Sequence, residues 1–173
     1  MSSVTQFASA SSQVAGDGFY SWASIDQIFA EDAVSAFATA PGGGGGLSWL
    51  LKATSFGFAI PQGASIVGIK VEFKKSKSGD SVVDNNIKLI KGGTVQGDNK
   101  GDAVTEWPLS LAWVAHGTGE TDLWGLSWTS DDINASNFGV SIDIVETAND
   151  VAYIDAVRIT VYYVDFVPRS ISY

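Results

Sequence analysis

Acyl-transfer chemistry of the Ser-His-Asp kind needs an imidazole base, and this chain offers one histidine, His116, in the stretch Val114-Ala115-His116-Gly117-Thr118-Gly119. No Gly-x-Ser-x-Gly elbow occurs to present a nucleophile, so His116 reads as a loop residue. The absence of cysteine removes thiolate catalysis, disulfides, Cys-ligated zinc and iron–sulfur clusters together, and a single histidine disfavours imidazole metal sites. A glycosidase needs two carboxylates facing one another across a cleft, for which Glu106, Glu120, Asp122 and Glu146 are the choices. With 19 acidic residues such a pairing arises by chance in almost any fold. Asp80, Asp84, Asn85 and Asn86 place oxygen ligands in one stretch but miss the EF-hand spacing, which favours a solvated hairpin over a calcium site. The run Gly42–Gly46 lacks the Gly-Lys-Ser/Thr ending of a phosphate loop. Gly117-Thr118-Gly119 stops short of a dinucleotide motif because Asp122 takes the third glycine position. No catalytic residue, cofactor or metal follows from these patterns, and a non-enzymatic role is expected.

The tryptophans carry the remaining binding chemistry. Trp107, Trp113, Trp124 and Trp128 fall within 22 residues. Exposed indole faces hold sugars in many β-sandwich modules, and Trp107 and Trp113 are the glycan-binding candidates. Burial in a core, with each ring N–H hydrogen-bonded, is the competing reading.

Period-two alternation defines the elements that position these side chains. In Ser65–Lys74, Val67, Ile69, Val71 and Phe73 alternate with Gly68, Lys70, Glu72 and Lys74, the pattern of a half-buried antiparallel strand. The same pattern recurs with Phe138, Val140, Ile142 and Ile144 in Asn137–Glu146, and with Val157, Ile159, Val161 and Tyr163 in Ala156–Val164. Leu50–Ile60 is read as a strand with its even positions inward, ending at Pro61-Gln62-Gly63, a turn with proline in its first central position. Asn86–Lys91 and Thr121–Trp128 are read as shorter strands. Phe19–Ile28 and Val34–Thr39 are weaker strand readings, with a short helix within Ser24–Phe37 as the alternative. The Ser/Asp cluster after Thr129 suits the start of one helical turn. Lys74–Asn86 is read as a polar surface connection. The expected fold is all-β: a two-layer antiparallel β-sandwich of jelly-roll type with about eight strands.

The 173 residues suit one domain of about 150 residues, the sandwich at 16–164, with an extended N-terminal arm at 1–15 and a C-terminal tail at 165–173. The arm is expected to order only against a neighbouring subunit, as an added strand on an open sheet edge. A net charge of −9 argues against nucleic acid and anionic membranes as partners. Neither a secretory leader nor an apolar run of about 18 residues is evident, so a soluble protein made in a cytoplasm is expected.

Several stretches resemble a β-sandwich domain common in tailed-bacteriophage virion proteins. They are Phe56-Gly57-Phe58-Ala59-Ile60-Pro61-Gln62-Gly63, Ile87-Lys88-Leu89-Ile90-Lys91-Gly92-Gly93, Trp107-Pro108, Asp122-Leu123-Trp124-Gly125-Leu126-Ser127-Trp128, Asn137-Phe138-Gly139-Val140 and Asp155-Ala156-Val157-Arg158-Ile159. The chain departs from that pattern at Trp22-Ala23-Ser24-Ile25 and at Glu31-Asp32-Ala33-Val34. The resemblance implies a virion structural protein, foremost a trimeric capsid decoration or cement protein contacting the major capsid protein. A tail, neck or fibre component, or a module contacting a host surface glycan, is the alternative. Gly125 and Gly139 are expected to let a neighbouring Trp or Phe lie against bare backbone.

Overall fold

The computed structural model describes residues 1–41, 45–79, 81–146 and 150–166. Asp80, Gly42–Gly44 and the tail from Val167 onward therefore lie outside the described residues. The architecture is an all-β sandwich of two antiparallel sheets packed face to face.

Twelve strands occur among the described residues, more than the eight expected. They are β1 (Ser2–Phe7), β2 (Ala10–Val14), β3 (Trp22–Ala23), β4 (Ala36–Thr39), β5 (Gly46–Leu47), β6 (Leu50–Thr54), β7 (Ser65–Ser78), β8 (Val82–Lys91), β9 (Thr94–Gln96), β10 (Ala112–His116), β11 (Gly139–Glu146) and β12 (Val151–Val164). One sheet runs β10-β7-β12-β4-β3, with β1 also on β12; the other runs β2-β6-β11-β8-β9, with β5 also on β11. The core between them is built from the alternating apolar rows: Ile69, Val71 and Phe73 of β7, Val157 and Ile159 of β12, and Ile142 of β11 are all buried. No helix among the described residues is long and apolar enough to cross a membrane.

The N-terminal arm needs no neighbour. β1 pairs with β12 from Ser2↔Tyr163 to Phe7↔Arg158, and β2 pairs with β6 from Ala10↔Thr54 to Val14↔Leu50. Between them Ala8 is buried, its N–H donating to the carbonyl of Val157 in one sheet, while the Ser9 N–H donates to Thr54 in the other. The arm covers an edge of each sheet within its own chain and stitches the two layers along one side, which satisfies backbone groups that open edges would leave bare.

Three other segments differ from the expectation, each for a local reason. In Leu50–Ile60 the ladder ends at Thr54, and Ser55 at φ 56° reverses the phase. Leu51 and Ala53 therefore face inward before it, and Phe56, Phe58 and Ile60 after it. Thr121–Trp128 is a compact turn, not a strand. Trp124 and Gly125 both have positive φ, the Asp122 carboxylate accepts the N–H groups of Thr118 and Trp124, and the buried Trp124 indole donates to the carbonyl of Ile69 at 2.9 Å. Lys74–Asn86 is no surface connection: β7 continues to Ser78 and β8 begins at Val82. After Thr129 the expected helical turn is present as α1 (Ser130–Asn134), with reciprocal capping between Thr129 and Asp132. Within Ser24–Phe37 the only helical piece is a 3₁₀ turn at Ile25–Ile28, followed by β4. Gly139 serves close strand approach, because a Cβ there would collide with the Ala53 carbonyl of β6. Gly125 faces the Asp98 carboxylate. At neither glycine do the nearest atoms belong to an aromatic ring.

Candidate functional site

The inward row of β7 does not stay apolar. Ile69, Val71 and Phe73 are followed at the same parity by Lys75 and Lys77, both buried. Lys75 is 1% exposed, and β8 and β10 supply its partners: its Nζ lies 2.6 Å from Asp84 Oδ1 and 3.3 Å from His116 Nε2. The ammonium also sits 4.5 Å from the centre of the Trp107 ring. Trp107 donates its indole N–H to the same Asp84 Oδ1 at 2.7 Å, while Asp84 Oδ2 accepts the Asp102 N–H at 3.2 Å. His116 Nδ1 lies 3.0 Å from the carbonyl of Lys100. A carbonyl accepts only, so Nδ1 carries the proton and the Nε2 lone pair faces the Lys75 ammonium. Burial, then the Lys75 charge, holds the His116 pKa below its ordinary value. Burial also lowers the Lys75 pKa, with the Asp84 carboxylate opposing it.

This cluster is the floor of a pocket of about 430 Å³. The segment 100–107 forms one wall, β10 and the turn through Gly117 and Thr118 the other, and Asp122 closes the rim. That segment is strung along β8 by Lys100 N–H to Ile87, Asp84 N–H to Asp102 and Trp107 N–H to Val82, and reaches β7 where the Lys77 N–H meets Pro108. At the rim Lys100 Nζ stands 3.2 Å from Asp122 and 3.5 Å from Asp98. Lys77 pairs with Glu106 at 2.6 Å. The Thr105 hydroxyl and the N–H groups of Thr105 and Val104 hold Asp102 at about 2.

Of the four carboxylates suggested for glycoside chemistry, the fold brings Glu106 and Asp122 to this pocket. Both face lysines, and Asp122 is lowered overall: burial acts to raise it, and the N–H groups of Thr118 and Trp124 and the Lys100 ammonium outweigh that. A glycosidase pair needs one acid kept protonated, and the carboxyl raised to about 7, chiefly by burial, is Glu146, which does not line the pocket. Among the described residues, no group of three or more His, Cys, Asp or Glu side chains is placed to hold a metal ion. Asp84 is committed to Lys75 and Trp107, and Asn85 and Asn86 bond the carboxylate of Asp143.

The two glycan-binding tryptophans part company. Trp107 is 3% exposed, with its N–H on Asp84 and a ring face under Lys75, so it offers no open platform. Trp113 is half-buried on the outward face of its sheet. Its ring covers the Arg158 guanidinium at 3.9 Å and meets Phe7 edge-on at 6.2 Å, while Arg158 forks onto Glu72. Sequence reasoning missed Lys75, Asp84 and Asp102 as members of one site. The available signal was the parity of Lys75 and Lys77 with Ile69, Val71 and Phe73. No protein-family model, curated protein or solved structure matches the chain.

Proposed function

We propose that the protein is a non-enzymatic structural component of a bacteriophage virion, a capsid decoration protein that assembles as a trimer on the major capsid protein. The resemblance of its motifs to virion β-sandwich domains motivates this reading. The observation that carries it is the outward face of the β10-β7-β12-β4 sheet, where Phe7, Phe37, Trp113, Tyr153 and Tyr162 stand beside the paired charges of Lys70, Glu72, Lys74 and Arg158. Phe37 is 40% and Phe7 37% exposed. Large rings collected on an open sheet face favour burial against a partner subunit, where aromatic anchors carry most of the binding energy. The −9 net charge suits a partner other than packaged DNA. Because both halves of the N-terminal arm are occupied within the chain, attachment proceeds through this face, not through a donated N-terminal strand.

Light scattering on the purified protein, followed by sedimentation with empty capsids, tests the reading. A trimer that co-sediments in a fixed ratio to capsid subunits, and a Phe37→Ser/Trp113→Ser double variant that does not, are expected. A monomer that ignores capsids overturns it and shifts the weight to a tail component.

A further inference from the structure

The pocket above Lys75 and His116 has no part in the assembly proposed above. We propose that it is a binding site for one neutral sugar residue. Its volume of about 430 Å³ falls in the usual range for small-molecule sites, and its lining joins Trp107 and Val114 to a dense set of polar and charged side chains.

Charge selects the ligand class. Lys75 and Lys100 stand against Asp84, Asp102, Glu106 and Asp122, so the pocket as a whole repels phosphates, sulfates and uronic acids. A cation fares no better. Each of these carboxylates already faces an ammonium or a pair of backbone N–H groups, and any newcomer would meet Lys75 at the floor and Lys100 at the rim. What remains is hydrogen-bonding capacity without net attraction for charge. Lys100 has three donors and two carboxylate neighbours, the carboxylates keep lone pairs, and the Thr118 hydroxyl is exposed at the rim. A donor and an acceptor 3.2 Å apart, Lys100 Nζ and Asp122 Oδ2, match two adjacent ring hydroxyls, one accepting and the other donating. The floor is rigid, because Lys75, Asp84, His116 and Trp107 hold one another through buried bonds. This preorganisation lowers the ordering cost of binding a small flexible polyol.

The six tryptophans make the test site-resolved, since each indole N–H gives its own nitrogen-15 correlation peak. The full-length protein is titrated with the methyl glycosides of glucose, galactose, mannose and N-acetylglucosamine, with glucuronate and glucosamine as charged controls. At least one neutral glycoside is expected to shift the Trp107 indole peak with a Kd of ~1 mM or tighter and to leave the Trp113 peak in place. Thr118→Trp, which blocks the mouth, and Lys100→Met, which removes the rim donor, should each weaken that binding at least tenfold. The unchanged remaining indole peaks report that each variant is folded, so either variant suffices if the other is not. A shift confined to the Trp113 peak and abolished by Trp113→Ala overturns the proposal, as does stronger binding of a charged control or the absence of any Trp107 shift across the neutral panel. Capsid association can fail while the Trp107 peak moves, and the reverse, so the two proposals stand or fall separately.

Discussion

His116 accepts a hydrogen bond at Nε2 from the Lys75 ammonium, 3.3 Å away, in a compartment where both side chains are nearly inaccessible to water. The arrangement tolerates a neutral imidazole only. A proton on Nε2 would set two cations face to face, with Asp84 Oδ2 at 3.8 Å, Asp102 and the Lys100 carbonyl on Nδ1 offsetting that cost only in part.

The sign of the pH effect follows. The folded pKa of His116 lies below its ordinary 6.5, so the unfolded chain takes up the proton first as pH falls. This residue's contribution is complete above about 6.5 and is lost as pH drops toward the folded value. Glu146 works in the opposite direction. Burial raises its carboxyl from 4.5 to about 7, so its contribution is complete below 4.5 and is lost as pH rises through 7. Thermal melts between pH 4.5 and 8 should separate them. His116→Gln should leave a protein that grows more stable toward acid, and Glu146→Gln one that grows less stable. At pH 8 the Glu146→Gln protein should exceed the parent by up to about 3 kcal/mol.

Breaking the buried ion pair from one side should be costly. Lys75→Met strands the Asp84 carboxylate and Asp84→Asn strands the ammonium, each losing roughly 3–5 kcal/mol in denaturant titrations. The double variant should regain most of that loss, because the amide oxygen still accepts the Trp107 indole N–H while no unpaired charge remains. An additive double loss would mean that the ion pair is not what holds the floor.

The two tryptophans should respond unequally to truncation. Trp107→Ala removes a buried ring and the N–H partner of Asp84, and should cost about 3–5 kcal/mol. Trp113→Ala removes a half-buried ring over Arg158 and should cost about 1 kcal/mol or less. Equal losses would show that Trp113 is as much a part of the packing as Trp107.

Removing residues 1–14 should lower the melting temperature by more than ~10 °C and promote aggregation, since it bares an edge of β12 and an edge of β6 at once. A truncated chain with the parent's melting curve would place the first two strands outside the cooperative unit.

Alternation made the three long strands legible in sequence, because a sheet with one face in the core prints its period directly onto Val71, Ile142 and Ile159. It failed where chemistry and period diverge. Lys75 and Lys77 occupy core-facing positions, yet their charge made a strand look like a loop, and Asp84 looked like a solvated turn for the same reason. Thr121–Trp128 failed in the other direction: its rings suggest a strand, but the positive φ at Trp124 is held by Asp122, and no local apolar pattern encodes that. The N-terminal arm shows no strong alternation, because its strands draw on edges made by residues far along the chain. Of the pocket, Trp107 and His116 were visible as residue types, but their meeting over Lys75 depends on the register of β10 against β7, which pairs Trp113 with Lys74 and His116 with Val71.

The pairing of Ser2 with Tyr163 also sets a timetable for synthesis. A ribosome releases β1 well before β12, so the earlier strand has no permanent partner until β12 has emerged. The sheet containing them therefore closes only once β12 is out, by a slow, long-range loop closure before which the backbone of β1 is exposed to solvent and to chaperones.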